Sequence, residues 1–113
     1  MLKQDEIESI TVQALNHRIE QGDNLMLLDV REPHEVELCR LPDAVHIPMN
    51  LIPNYLDQIP DDIDIIVYCH HGIRSYTVVK YLQQTGFESA HLFNLEGGID
   101  EWAKKIDKMM RRY

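Results

Sequence analysis

The stretch Asp64-Ile65-Ile66-Val67-Tyr68-Cys69-His70-His71-Gly72-Ile73-Arg74-Ser75 constrains this chain more than any other. Residues 65–68 are an unbroken run of β-branched and aromatic side chains, as suits a strand buried on both faces of a sheet. The run stops at Cys69. A short loop with one glycine follows, and Ser75 opens a helical pattern through Tyr76, Val79, Lys80 and Leu82 that ends near Gly86. The spacing therefore predicts a thiol where a buried strand gives way to a helix. In open α/β sheets, ligands bind in the crevice beyond the carboxyl ends of the strands. Loop N–H groups and a helix N-terminus can converge there on an anion or a thiolate.

That position changes what the thiol can do. A free cysteine has a pKa of about 8.5, and a helix N-terminus or a neighbouring cation lowers it. Arg74 supplies a permanent cation, and His70 and His71 titrate in the physiological range. Cys69 is accordingly read as a nucleophile, held as thiolate and open to solvent. The competing reading is a buried structural cysteine, since free Cys is among the most buried residue types.

The loop Cys69-His70-His71-Gly72-Ile73-Arg74-Ser75 resembles the active-site loop of the rhodanese (sulfurtransferase) family, Cys-x-x-Gly-x-Arg-Ser/Thr. Three further blocks fit the same family in the same order. They are Leu27-Leu28-Asp29-Val30-Arg31-Glu32, Leu41-Pro42-Asp43-Ala44-Val45-His46-Ile47-Pro48, and Asn94-Leu95-Glu96-Gly97-Gly98-Ile99-Asp100-Glu101-Trp102. The resemblance covers nearly the whole chain. It implies a rhodanese-like α/β fold, a central parallel β-sheet with helices on both faces, over residues 1–113 as one domain.

Length and composition agree with that. A chain of 113 residues suits a single core. A net charge of −8 argues against nucleic acid or an anionic membrane surface as the principal partner. It also repels a small anionic substrate, so a local positive field at the loop is expected to offset it. Cys39 and Cys69 do not make a disulfide framework. No apolar run reaches the length of a signal peptide or a membrane span. The expected setting is a reducing, cytoplasmic compartment.

Taken in order, the chain alternates strand and helix patterns, which argues for a parallel sheet covered on both faces. Residues 7–10 read as a short strand. Thr11 is the expected N-cap of a helix over Val12–Glu20, with Val12, Leu15 and Ile19 on one face and Gly22 closing it. A buried strand over 25–30 ends beside Asp29 and Arg31. By resemblance these two lie next to the catalytic loop as a structural pair, although composition alone fits a solvated turn equally well. Pro33 stands near the start of a short helix. Where the family usually shows Gly-His-Ile-Pro-Gly-Ala, this chain has Cys39-Arg40-Leu41-Pro42-Asp43-Ala44. Asp43 is expected to keep the turn, because Asp tolerates the left-handed region. Cys39 is read as a filler rather than a thiol that resolves a disulfide with Cys69. Residues 44–47 and 89–95 are further strands, with a short helix around Pro53 between them. Gly97-Gly98 lets the backbone pass close to another segment, which the resemblance implies is the neighbourhood of the catalytic loop, and a helix over 99–108 carries Trp102 and Ile106 inward. The basic stretch 104–113 is read as a solvated final turn rather than a docking peptide.

The resemblance implies a double displacement at sulfur, of the thiosulfate sulfurtransferase type. Cys69 would take the outer sulfur of a small anionic donor such as thiosulfate, and pass it from a persulfide to cyanide, a thiol or a sulfur-carrier protein. The N–H groups of the loop, from His70 through His71, Gly72, Ile73 and Arg74, would hold the sulfur's charge. Arg74 either holds the donor or braces the backbone, and Ser75 supports the loop. No cofactor is expected. Adjacent His70 and His71 lack metal-ligand spacing, so no metal is expected either. Cysteine-dependent phosphatases and arsenate reductases are disfavoured, because their loop is one residue longer than the four residues between Cys69 and Arg74. The remaining alternative is a noncatalytic interaction module of the same fold.

Overall fold

The structure, a computed structural model, describes residues 6–113. Five strands form one parallel sheet: β1 (Glu8–Ile10), β2 (Leu25–Asp29), β3 (Val45–His46), β4 (Asp64–Tyr68) and β5 (Leu92–Leu95). Their order is β1-β5-β4-β2-β3, so the strand that ends at the thiol is central. It pairs with β2 from Leu25↔Asp64 to Asp29↔Tyr68, and with β5 from Ile65↔Leu92 to Val67↔Asn94.

The period of two along β4 explains the two-sided core. Ile65 and Val67 pack with Val78, Val79 and Leu82 on one face, and Cys69 belongs to that cluster. Ile66 and Tyr68 pack with Val12, Leu15, Ile99 and Trp102 on the other. The helices supplying those residues are α1 (Val12–Glu20), α3 (Ile73–Gln84) and α4 (Gly98–Lys105), with α2 (Pro33–Leu38) between β2 and β3. The expected α/β fold with helices on both faces is the observed one.

Several local expectations are met. Thr11 caps α1 by accepting a hydrogen bond from the Ala14 N–H at 3.1 Å. Asp43 takes φ +61°, the left-handed turn that glycine would otherwise fill. Others need correction. Ile19 is 39% exposed, since α1 leans on the sheet only through its first turns. Residues 89–91 form a 3₁₀ turn before β5 rather than its start, and a second 3₁₀ segment, Met49–Asn54, contains Pro53. The last helix ends at Lys105, and Ile106 is its C-cap. Helix α3 begins two residues earlier than expected, at Ile73. Gly72 takes φ +106° as its N-cap, which turns the chain sharply enough to start a helix immediately after the loop.

Candidate active site

Cys69 stands at the carboxyl end of β4, where the sequence places it. Its sulfur lies inside the loop rather than on the surface. The Gly72 N–H donates to Sγ at 3.1 Å and the Ser75 N–H at 3.4 Å, while the Ser75 hydroxyl lies 3.3 Å away. The residue is only 1% exposed. The expectation of a thiol open to solvent is therefore corrected: the loop closes around the sulfur because two of its amides turn inward to meet it.

The loop is pinned from behind by α4. The Ile99 N–H donates to the Cys69 carbonyl at 2.9 Å and the Asp100 N–H to the His70 carbonyl at 3.1 Å. Gly97 and Gly98 make this approach feasible, with φ of +78° and +63°. A Cβ on Gly98 would fall 2.6 Å from the Cys69 carbonyl oxygen, inside any tolerable contact. The paired glycines are thus the crossing point of helix and loop.

Arg74 does not face the sulfur. Its guanidinium forms a bidentate pair with Glu35 of α2, Nη1 to Oε1 at 2.7 Å and Nη2 to Oε2 at 2.9 Å. That pairing holds the Glu35 carboxyl far below the usual carboxylate range, against the opposing effect of burial. Of the two roles open to Arg74, the bracing one is what its geometry supports. Arg74→Ala is expected to destabilise the fold by about 1–3 kcal/mol, by leaving a mostly buried carboxylate short of donors. Because Glu35 is depressed in the folded protein, this contribution is present above about pH 4.3 and fades as pH falls through the carboxylate range. Urea titrations of wild type and variant at pH 7 and pH 3 check both the loss and its partial decline in acid, since a carboxyl held this low stays largely ionised in the folded protein at pH 3. A stability difference that grew in acid would contradict the assignment.

Asp29 and Arg31 form a buried pair at the neighbouring strand end. Arg31 Nη2 donates to Asp29 Oδ2 at 2.7 Å and Nε to Oδ1 at 3.0 Å, and neither side chain meets solvent appreciably. Arg31 also donates to the carbonyls of Glu35 and Cys39. The Tyr68 hydroxyl donates to Asp29 at 2.8 Å, and burial beside that carboxylate pushes the phenol up. The solvated-turn alternative is excluded. Cys39 packs with the cluster on the face opposite to Cys69, which fits a filler.

His70 and His71 differ in surroundings. The His70 ring meets that of His71 at a tilt of 32° with centroids 3.8 Å apart, and its Nε2 is buried without a partner. Burial, then the proximity of His71, pushes its pKa down. His71 is exposed, with Nε2 3.6 Å from Asp100. His70, His71 and Asp100 each offer one ligand atom within 4.8 Å of the others. Asp100 is, however, already paired with Arg112 at 2.9 Å and Lys104 at 3.5 Å, so its charge is met without an ion. Ile73 faces outward and is 78% exposed.

Four contributors escaped the sequence reading. Nothing local sets Glu35 or Asp100 apart from other acids of the chain. Asn94 accepts from the Ser75 hydroxyl at 2.5 Å and donates to the Gly72 carbonyl at 3.1 Å, which ties the loop to β5. A polar residue inside the apolar run 92–95 was its available signal. For Tyr113 the available signal was the Arg112-Tyr113 ending, which resembles that of rhodanese domains fused to enzymes that activate sulfur carriers but says nothing of where the ring packs. Its ring stacks on His70 at 3.8 Å and 6°, and its hydroxyl donates to Glu35 at 2.8 Å. The solvated final turn expected for the basic stretch is therefore corrected at Arg112 and Tyr113, which fold back on the loop.

Comparison with known proteins gives the same picture. The rhodanese-like domain model matches residues 11–105. A sulfurtransferase of Allochromatium vinosum is 38% identical over 98 residues, 87% of this chain and 90% of its own. A putative sulfurtransferase of Bacillus subtilis, YtwF, is 40% identical over 97 residues, 86% of this chain and 91% of its own. The crystal structure of a rhodanese-like domain protein from Staphylococcus aureus superposes with a TM-score of 0.81 at 29% identity, covering 95% of this chain and 99% of that one. With a thiol-centred loop at the end of the central strand and matches along nearly its whole length, the chain belongs to the rhodanese-like domain family.

Proposed function

We propose that this protein is a sulfurtransferase that carries a sulfane sulfur on Cys69, with thiosulfate as the simplest donor. The observation that carries the reading is the position of Cys69 Sγ, within a loop whose Gly72 and Ser75 amides point at it. Such amides favour a negative sulfur without any reorganisation during the reaction. The names of the relatives support the same reading.

In the first half-reaction the Cys69 thiolate attacks the outer sulfur of thiosulfate. The S–S bond of the donor breaks, sulfite leaves with its electron pair, and the outer sulfur stays on Cys69 as a persulfide anion. In the second, cyanide, a small thiolate or the thiolate of a sulfur-carrier protein attacks that outer sulfur, and the Cys69 thiolate is restored. The backbone N–H groups of His70, His71, Ile73 and Arg74 do not bond Sγ, and they would be available to hold the added sulfur. Asp29 and Arg31 support the loop from the adjoining strand end, and Ser75 supports it from within. No metal, cofactor, nucleic acid or membrane enters this scheme. A reducing compartment such as the cytoplasm would keep the thiol usable.

One observation favours the noncatalytic alternative, namely that Cys69 is nearly inaccessible. Mass spectrometry separates the two. After incubation with thiosulfate, the Cys69 peptide is expected to carry one added sulfur, which cyanide then removes. A chain that gains no sulfur at Cys69 from thiosulfate or from an organic persulfide is an interaction module instead.

A further inference from the structure

Residues 109–113 lie outside any helix or strand, and Met109 is 95% exposed. Such a segment is normally free. Here its last two side chains are both anchored beside the catalytic loop. Arg112 pairs with Asp100, whose own N–H donates to the His70 carbonyl. Tyr113 reaches three separate parts of the site. Its ring lies flat on His70, its hydroxyl accepts from Arg31 Nη1 at 3.0 Å, and the same hydroxyl donates to the carboxylate that braces Arg74. The space between Tyr113, His70, Ile99 and Ala103 is closed to water.

We propose that Tyr113 is a positioning residue for sulfur transfer, its ring clamping His70 and thereby fixing the loop that follows Cys69. The inference rests on the sulfurtransferase reading for its kinetic consequences. The physical reasoning is that His70 is the first loop residue after the nucleophile and has no hydrogen-bond partner at Nε2. Its ring is held instead by packing between two rings, tilted against His71 and stacked on Tyr113. The hydroxyl serves the ring: bonded on both sides, by Arg31 and by Glu35, it fixes where the aromatic plane lies. Loss of the clamp lets the loop drift. Amides aimed at the sulfur then miss the charge that develops in the transition state, so kcat should fall more than KM changes.

The test compares Tyr113→Ala, Tyr113→Leu and Tyr113→Phe in the full chain. Sulfur transfer from thiosulfate to cyanide is measured alongside an NMR titration of the His70 ring. Tyr113→Ala and Tyr113→Leu are expected to lose about tenfold in kcat, short of the ~100-fold that a full ångström of misplacement costs, with KM for thiosulfate within about twofold. Tyr113→Phe keeps the stack and should recover most of the rate. The His70 titration midpoint should rise in the Ala variant, because burial is the largest influence depressing it. The charged and titratable groups around that ring are His71, Asp100 of α4 and Glu35 of α2, and these, like the Tyr113 backbone beside the ring, are kept in every variant.

Wild-type kcat in the Ala or Leu variant overturns the proposal, as does an unmoved His70 midpoint or a Phe variant as slow as Ala. Should Tyr113→Ala fail to fold, Tyr113→Leu decides alone. If the wild-type protein forms no Cys69 persulfide at all, the sulfurtransferase reading fails. The His70 titration then still decides whether Tyr113 clamps the ring.

Discussion

Cys69→Ser should abolish sulfur transfer while leaving the fold in place. A hydroxyl fits the space of the thiol and can accept from the same Gly72 and Ser75 amides, so stability should change by only about 1 kcal/mol. Chemistry is another matter. A serine oxygen at this position has no base to activate it, and it cannot form the S–S bond on which the second half-reaction depends. The loss in kcat/KM for thiosulfate should be on the order of 10⁴-fold or more, comparable to removing the nucleophile from other covalent catalysts. Cys39→Ser is the control and should retain activity, since that thiol packs on the far face of the sheet. Residual turnover above about a tenth of wild type in Cys69→Ser, or a loss confined to Cys39→Ser, would refute the assignment.

The largest stability effect is expected at Asp29. Arg31 is wholly buried, and Asp29 is its only anionic partner within 4 Å among the described residues. Its other acceptors are the carbonyls of Glu35 and Cys39, the Cys39 sulfur at 4.0 Å and the Tyr113 hydroxyl. Asp29→Ala would strand a guanidinium inside the protein and leave the Tyr68 hydroxyl without its acceptor. Breaking a buried pair by removing one partner costs about 3–5 kcal/mol. A domain of this size has roughly 5–15 kcal/mol in total. The variant should therefore unfold at a much lower urea concentration with a similar slope. Replacing both partners, as Asp29→Leu with Arg31→Met, should cost less than Asp29→Ala alone, because no charge is left unpaired. A single-variant loss below about 1 kcal/mol would mean that the pair is solvated in solution.

Most of the fold was legible in the sequence because its signals are local. The apolar run 65–68, the Thr11 cap and the Gly97-Gly98 pair each state a backbone requirement within a few residues. Cys69 was legible for the same reason, as a thiol between a strand and a helix start. Its exposure was not, because whether a loop opens or closes around a side chain depends on which way its amides turn. The role of Arg74 was undecidable for a related reason. Glu35 is 39 residues away in sequence and meets it only once α2 and α3 are folded. Tyr113 lies further still from Arg31, 82 residues apart, and no periodicity reports such a contact.

The burial of Cys69 also bears on how the protein ages. Thiolates that meet oxidants climb from sulfenic to sulfinic and sulfonic acids, and the last steps are irreversible in most settings. Each step needs an oxidant to reach the sulfur and room for an added oxygen. The loop amides, the Ser75 hydroxyl and the helix packed behind them leave the resting sulfur scarcely exposed, so an oxidant needs the same opening of the loop that admits a sulfur donor. Cys39 is the more accessible of the two thiols. Peroxide damage should thus accumulate first on Cys39, and the Cys69 thiol should outlast it.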